Sequence, residues 1–444
     1  MSKEKKHALS PAEGLIPQLR FPEFLEKEGW EVREVGEIFQ VTRGYVLSMT
    51  LVKELPTEEY PYPVFSSQTK NNGLAGYYNE YLYEDAITWT TDGANAGDVN
   101  FRDGKFYCTN VCGVLLNEEG FANPCIAELI NSVSKKHVYY VGNPKLMNGV
   151  MSKIQIPVPS IPEQQKIAAC LSSLDELIAA HNDKLDALKD HKKGLLQNLF
   201  PNSLNRHLKG FNDDPDFSKV PRLRFPEFIK KSGNQENQKN QGSDNGEWVE
   251  KKLDSLTEKI GDGIHATPKY DSSGDYFFIN GNNLIEGEIS IDEKTKSVSI
   301  QEYEKHKKEL TKNTILLSIN GTIGNVAFYN NERVVLGKSV CYITTNHELN
   351  SVFLYYSLQC PKITNYFFSE LTGSTIKNLS LRTIRDTTIS LPSEIEQQKI
   401  ASCLSAVDEL ITAQQEKIEA LQQHKKGLMQ GLFPAVHTGH ALSQ

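Results

Sequence analysis

The stretch SIPEQQKIAACLSSLDELIAAHNDKLDALKDHKKGLLQNLFP, Ser160–Pro201, returns as SEIEQQKIASCLSAVDELITAQQEKIEALQQHKKGLMQGLFP, Ser393–Pro434, at an offset of 233 (393 − 160 = 233). Between Glu163–Pro201 and Glu396–Pro434, 26 of 39 positions are identical, and several of them are polar residues that core packing alone leaves free to vary. Copying accounts for this better than convergence on a generic helix. Whatever fold the chain adopts has to house the same long element twice.

Each copy reads as one helix. Ser160 with Glu163, and Ser393 with Glu396, have the S-x-x-E spacing of a capping box, which satisfies exposed backbone donors at a helix start. Apolar residues then recur in alternating steps of three and four at Leu171, Leu174, Ile178, Leu185, Leu188, Leu195 and Leu199, and at Leu404, Val407, Ile411, Ile418, Leu421, Leu428 and Leu432. That heptad seam is narrow enough for a partner helix, the periodicity of a coiled coil. His181 and Lys192 interrupt the first seam, and Gln414 and Lys425 the second; polar seam residues cost stability and fix register. The expectation is that the copies pack on each other antiparallel, with His181 near Gln414 close to a pseudo-twofold axis. The alternative is a pair of surface helices, each on its own domain. Phe200-Pro201 and Phe433-Pro434 close the helices, because proline removes a donor and clashes with the preceding turn.

The duplication extends beyond the helices. PQLRFPEF (Pro17–Phe24) returns as PRLRFPEF (Pro221–Phe228), and a tryptophan follows each, at Trp30 and Trp248. The expected order is a lead-in and first globular domain (1–159), a helix (160–201), a flexible linker (202–247), a second globular domain (248–392), a helix (393–434) and a tail (435–444). Short apolar runs such as YPVFSS (Tyr62–Ser67), AITWTT (Ala86–Thr91), TILLSI (Thr314–Ile319) and VCYITT (Val340–Thr345) sit between glycine- and asparagine-rich turns, which predicts strand-rich heads. Pro124–Ser132 and Phe353–Cys360 read as helices. KKSGNQENQKNQGSDNGE, inside the linker, is nearly free of large apolar groups and has nothing with which to build a core. The helices agree closely while the heads share position and style but little sequence, so the heads meet different things.

At 444 residues with 39% hydrophobic and 23% charged content, the chain has ample material for two or three cores. No run of eighteen apolar residues exists and the first residues lack a signal-peptide core, so a cytoplasmic location without membrane contact is expected. Seven cysteines without metal-site spacing suit reduced thiols. A net charge of −8 and a pI near 5.8 argue against gripping nucleic acid alone by bulk electrostatics, while leaving room for a local basic face or a basic partner. Motifs for chemistry fail on inspection. Gly337-Lys338-Ser339 ends like a phosphate loop, but the required earlier glycine is Glu332. Asp214-Pro215-Asp216-Phe217 departs from the amino-methyltransferase signature at its second proline. His265, in DGIHATPKY, has no partner arrangement that marks it as a base, and a loop-ordering or contact role is favoured.

With these residues in view, the chain resembles the specificity subunit of type I restriction-modification systems. The resemblance is carried by PVPSIPEQQKIAACLSSLDELI (Pro157–Ile178), ISLPSEIEQQKIASCLSAVDELI (Ile389–Ile411), the two HKKG segments (His191–Pro201, His424–Pro434), GDGIHATPKY (Gly261–Tyr270), INGNNL (Ile279–Leu284), SINGTIGNVA (Ser318–Ala327) and GSTIKNLS (Gly373–Ser380). ITWTTDGANAGDV (Ile87–Val99) is similar to the family's I-x-x-x-x-G-x-x-G element. The resemblance implies an α/β (α+β) fold, with two strand-rich target-recognition domains joined by two long helices that form an antiparallel coiled coil. It further implies a bipartite double-stranded DNA target, two docked methyltransferase subunits using S-adenosylmethionine, and motor-nuclease subunits using ATP and Mg, with no cofactor or metal bound by this chain and no catalysis by it.

Arginine and lysine pair with guanine, and asparagine and glutamine with adenine, in the major groove. Loop candidates for base reading are Arg43, Gln68, Lys70, Asn71 and Asn72 in the first head, and His265, Lys269, Asn320, Thr322, Lys338, Lys377 and Arg382 in the second. For each, an ordinary solvated loop residue is the competing reading. Three rival functions also stand: a coiled-coil scaffold with two protein-binding heads, an enzyme with an unrecognised site, and a specificity subunit of a methylation-only complex.

Overall fold

The computed structural model describes residues 14–67, 71–201, 220–229, 248–373 and 377–434. The greater part of the expected linker, the Asp214–Phe217 motif and the tail lie outside them. The chain divides into two units, one holding residues up to Asp183 and from Glu416 onward, the other Lys184–Gln415. Each long helix therefore contributes to both.

The first unit begins with strands β1 (Glu31–Glu34) and β2 (Gln40–Arg43) around the short helix α1 (Val35–Ile38). Then come β3 (Tyr62–Phe65), β4 (Leu74–Tyr78), β5 (Tyr83–Thr90), β6 (Val99–Cys108) and β7 (Cys112–Leu116), helices α2 (Pro124–Ser134) and α3 (Asn148–Met151), and β8 (Gln155–Val158). A six-stranded sheet runs β2-β7-β5-β6-β3-β4, antiparallel except where β3 meets β6. β1 pairs antiparallel with β8, which delivers the chain into helix α4 (Ile161–Asn198). Gly113 on β7 is required by packing, since a Cβ there would lie 2.1 Å from the indole of Trp89. One core joins Trp30, Trp89, Ile87, Leu115, Ile126 and Ile130 to Ile167 and Leu171 of α4.

The second unit repeats the plan. It holds β9 (Val249–Lys252), β10 (Thr257–Asp262), β11 (Tyr276–Ile279), β12 (Leu284–Ile285), β13 (Glu288–Ile289), β14 (Ser297–Val298), α5 (Ile300–His306), β15 (Thr314–Asn320), β16 (Thr322–Phe328), β17 (Val334–Leu336) and β18 (Val340–Thr345). Helices α6 (Ser351–Gln359), α7 (Pro361–Ser369) and α8 (Leu381–Asp386) and strand β19 (Thr388–Leu391) lead into α9 (Glu394–Leu432). The main sheet is β10-β18-β15-β16, a second is β14-β11-β17, and β9 pairs with β19 as β1 does with β8. The core gathers Trp248, Leu317, Ile343, Phe353 and Tyr356 with Leu199 and Phe200 after α4 and with Ile400 and Leu404 of α9. In the first unit Leu432 and Phe433, at the far end of α9, join the core beside the start of α4. Within each unit, then, the start of one long helix is packed near the end of the other, which is an antiparallel arrangement.

The polar residues of the duplicated helix starts have assigned work. Gln164 is buried and accepts a 2.7 Å hydrogen bond from Asn123, the residue that caps α2, while donating to the Pro159 carbonyl. Gln397 repeats this by accepting from the backbone of Asn350, the cap of α6, and donating to the Glu348 and Pro392 carbonyls.

The expected capping boxes are corrected. Ser393 Oγ does accept from the Glu396 amide at 3.3 Å, but neither glutamate side chain turns back to its cap. Glu163 instead accepts Arg20 Nε and Nη2 at 2.7 and 2.8 Å, and Glu396 accepts Arg224 Nε and Nη2 at 2.7 and 2.6 Å. A two-point charge-assisted contact is stronger than one bond from a neutral backbone donor, so the guanidinium wins the carboxylate. Both arginines belong to the repeated RFPEF phrase.

Candidate nucleic-acid interface

Backbone pairing in the second unit gathers several candidate readers along one edge. Gly321, at φ +76, makes the tight β15–β16 turn that presents Asn320 and Thr322, and its amide donates to the Lys377 carbonyl at 3.3 Å. Asn320 bridges to Asn378, and the amide of Ile319, beside it, donates to Ser339 O at 2.9 Å. This brings the exposed Lys338, in the β17–β18 turn, alongside. Ile264 donates to Leu336 O at 2.8 Å, which adds the loop carrying His265. His265 is exposed, and its Nε2 lies 2.8 Å from Asp262 Oδ2. Gly337-Lys338-Ser339 is a strand turn in which Ser339 Oγ accepts from the Gly281 amide at 2.9 Å and donates to Asn280 Oδ1 at 3.2 Å.

Lys269 is exposed, with its amide donating to Glu302 at 3.2 Å. Arg382 lies on α8, 3.7 Å from Asp386, in an ion cluster with Lys252; no described contact ties either residue to that edge.

The first unit builds a corresponding edge from different side chains. The Gly93 amide donates to the Pro144 carbonyl at 2.9 Å, as Gly321 does to Lys377, and Asp92 bridges to Lys145, as Asn320 does to Asn378. The Lys145 ammonium lies 3.5 Å from Asp92. The loop so held, Tyr139–Lys145, carries exposed Tyr139, Tyr140 and Val141 between Lys136 and Lys145. Sequence reasoning passed over it; the signal was its position, 233 residues before the Thr372–Asn378 loop (372 − 139 = 233).

Arg43, exposed at the end of β2, has its carbonyl bonded by Tyr83 Oη at 2.7 Å. Asn71 opens the turn Asn71–Gly73, and Asn72 within it has φ +50, a left-handed conformation that asparagine tolerates. Gln68 and Lys70 lie outside the described residues.

That turn is fixed by a residue the sequence did not single out. Arg102, on β6, donates from Nη2 to the Asn72 carbonyl at 2.7 Å and from Nε to Thr88 Oγ1 at 3.0 Å, and its guanidinium lies 3.7 Å from the centre of the Phe65 ring. Burial lowers its pKa to about 10, so the group is still cationic at neutral pH.

The candidate helix-pairing residues are distributed as follows. Leu171, Leu404, Val407, Gln414 and Ile418 are buried, and Leu174, Ile178, His181, Leu185, Leu188, Ile411 and Leu421 are half-buried. Among the described residues no group of three or more His, Cys, Asp or Glu side chains is placed to hold a metal ion, and no helix is long and apolar enough to cross a membrane.

The type I restriction modification DNA specificity domain matches this chain twice, over residues 27–190 and 245–423. The chain belongs to that family. As a type I specificity subunit it is similar to the MjaVIII specificity subunit of Methanocaldococcus jannaschii, at 24% identity over 90% of this chain and 91% of that one. A putative type I specificity subunit of Mycoplasma pneumoniae is 38% identical over 32% of this chain and 75% of its own length. The fold is similar to the crystal structure of a type I system S subunit from M. genitalium, with a TM-score of 0.58 at 16% identity, covering 95% of this chain and all of that one. Each match to the specificity domain spans a strand-rich head and runs into a long helix.

Proposed function

We propose that this specificity subunit reads a bipartite double-stranded DNA target, each head addressing one half, and that two methyltransferase subunits dock on the paired helices. Motor-nuclease subunits complete the restriction complex. The partners use S-adenosylmethionine, ATP and Mg, and this chain positions them without catalysing a step.

One observation carries the reading. The specificity domain occurs twice on a frame whose connecting helices share 26 of 39 residues, while the two loop edges are built on the same backbone pairings from different side chains. Closely similar connectors suit identical partner subunits, and unlike edges suit unlike half-sites. A 38-residue helix rises about 57 Å at 1.5 Å per residue, against roughly 34–36 Å for one turn of DNA, so helix length is a natural gauge of the gap between half-sites. The acidic net charge fits a subunit that shares neutralisation of the phosphates with its partners.

The test is genome-wide mapping of methylated adenines with the chain present, absent, and carrying a relative's second head in place of 248–392. A split sequence that depends on the chain, and of which the exchange alters one half only, is expected. Methylation indifferent to the chain, or an exchange that rewrites both halves, overturns the reading.

A further inference from the structure

The two heads hold one turn in the same place. In the first, the turn Thr109–Cys112 that follows β6 is closed by the Cys112 amide donating to Thr109 O at 3.0 Å; Thr109 donates to Phe65 O at 2.9 Å, and Thr91 donates to Val111 O at 3.0 Å. In the second, Val340 donates to Gly337 O at 3.0 Å, Gly337 to Ile279 O at 2.8 Å, and Ile319 to Ser339 O at 2.9 Å. The chain leaving the neighbouring strand crosses both turns alike. Gly44 donates to Cys112 O at 3.0 Å and Tyr45 to Cys108 O at 3.2 Å, as Gly263 does to Val340 O at 3.1 Å and Ile264 to Leu336 O at 2.8 Å. A Cβ on Gly44 would strike the Cys108 and Thr109 carbonyls, and one on Gly263 those of Leu336 and Gly337. Residue for residue, Asn110 therefore stands where Lys338 stands, and Val46 where His265 stands.

Asn110 is exposed, and the fold does not use it. Asparagine in a turn commonly supplies a left-handed backbone or a side-chain bond to a nearby amide. Asn110 is not left-handed, and its side chain has no hydrogen-bond partner among the described residues. Backbone bonds on both sides fix the turn, so the free amide is presented on a rigid support. The segment crossing this turn is apolar and solvent-facing, with Tyr45 63% and Val46 79% exposed. The segment crossing the Lys338 turn instead carries His265, paired with Asp262 at 2.8 Å. In the major groove an A·T pair offers N7 and the N6 amino group of adenine, which asparagine binds at two points, and the methyl of thymine, which apolar side chains contact. A G·C pair offers two acceptors on guanine to lysine and an amino group on cytosine to a carboxylate. Asn110 with Val46 fits the first pattern, and Lys338 with the Asp262–His265 pair fits the second.

We infer that Asn110 reads one adenine of the first half-site through N6 and N7, while Val46, with Tyr45, packs on the methyl of the thymine paired to it. This assignment rests on the DNA-reading function proposed above and deepens it, because it names a base pair that the first head selects and the side chains that select it.

The experiment uses the full-length chain with its methyltransferase partner and duplexes carrying the mapped target. Each adenine of the first half-site is replaced in turn by 7-deazaadenine, which lacks the N7 acceptor, and each thymine by deoxyuridine, which lacks the methyl. One A·T pair is expected at which both replacements weaken binding, the deaza replacement roughly tenfold. In Asn110→Ala the deaza effect at that pair disappears and the deoxyuridine effect stays; in Val46→Ala the reverse holds. Mapping of methylated adenines with Asn110→Ala should show that one position relaxed, with the rest of the first half and all of the second unchanged. The inference is overturned if no A·T pair of the first half-site responds to both analogues, or if every deaza effect there survives Asn110→Ala. A methylated sequence that Asn110→Ala leaves intact, or weakens evenly at all positions, overturns it as well. The analogue arm on the native chain needs no variant, so a variant that fails to fold does not shield the inference. Absence of any chain-dependent methylated sequence would instead sink the proposed function.

Discussion

Lys192 Nζ lies 2.7 Å from Asp408 Oδ1 in the second unit, and in the first unit Lys425 Nζ lies 2.7 Å from Asp175 Oδ1. These are one contact written twice, because both partners shift by the repeat offset (425 − 192 = 408 − 175 = 233). A lysine late in one helix meets an aspartate early in the other, and the roles then exchange. Only antiparallel segments satisfy that in each unit. Lys192 and Lys425 are two of the four polar interruptions of the heptad seams, and each serves as a register key of the kind that polar seam residues provide.

The pair in the second unit is the more deeply supported. Asp408 Oδ2 accepts from Tyr356 Oη at 2.7 Å, the Lys192 ammonium lies 5.6 Å from the centre of that ring, and burial raises the Tyr356 pKa so that the phenol stays a donor. Lys192→Ala is expected to destabilise by about 1–2 kcal/mol, between the values for exposed and buried pairs. Lys425→Ala should cost about 0.5–1 kcal/mol, because Asp175 is 54% exposed. Urea midpoints of the single variants and of Lys192→Ala with Asp408→Ala provide the check. Strict additivity in that cycle would mean the two groups do not act on each other.

The repeated RFPEF phrase is a clasp. In the first unit the Leu19 amide donates to Gly431 O on α9 at 2.8 Å while Arg20 grips Glu163 on α4; in the second, Leu223 donates to Asn198 O on α4 at 2.8 Å while Arg224 grips Glu396 on α9. Glu23 with Lys166, at 3.2 Å, and Glu227 with Lys399, at 3.0 Å, repeat the pattern at the rim. Arg20→Ala strands a buried carboxylate and should cost about 3–5 kcal/mol. Arg20→Lys should recover only part, since an ammonium does not match the two-point fork. Replacing both Arg20 and Glu163 by methionine is expected to be milder than Arg20→Ala alone. Thermal unfolding that ranks the double variant worst would refute this account.

Much of the fold was legible because its signals are local. Proline after the last apolar turn marks where α4 and α9 stop, and β-branched runs between asparagine and glycine turns mark β5, β15 and β18. The clasp was not legible, although its phrase was conspicuous, because Arg20 and Glu163 are 143 residues apart and spacing says nothing of who meets whom. The same limit produced the mistaken capping boxes: Ser393 and Glu396 have the right spacing, and a distant arginine claims the carboxylate. Arg102 was missed for a related reason. It sits in a strand, where an arginine reads as a solvated outward residue, and only tertiary packing on Phe65 and Thr88 turns it into the support of the Asn71–Gly73 turn.

The cysteines offer a test of burial. Cys108, Cys112, Cys125, Cys341 and Cys360 are buried, and desolvation raises the pKa of each thiol, to about 11 for Cys112. Cys170 and Cys403, the equivalent positions of α4 and α9, are half-exposed, although partial burial raises the Cys403 thiol pKa as well. A thiol reagent at mild alkaline pH should therefore modify two of the seven cysteines in the native protein and the rest only after unfolding, because the thiolate is the reactive form. Cys170→Ser with Cys403→Ser should remove the fast phase. A fast phase of three or more thiols would show that a head is open.

Glu348 and Asp386 are two of the carboxylates through which folding of the second unit responds to acid. The hydrogen bond from Lys251 holds Glu348 below its ordinary value of 4.5, and that from Lys252 holds Asp386 below 3.8. Both lysines are on β9, which pairs with the strand that feeds α9. As pH falls through the ordinary values, the unfolded chain takes up protons while the folded chain resists, so the equilibrium moves toward unfolding. The contribution is complete above about pH 4.5 and is lost as pH passes through the lowered folded values. Because these groups are half-exposed or exposed, salt should shrink the effect. Urea midpoints measured from neutral pH to about pH 3 should show a decline that begins below 4.5. Lys251→Met with Lys252→Met should flatten that decline, and an unchanged slope in the double variant would place the acid sensitivity elsewhere.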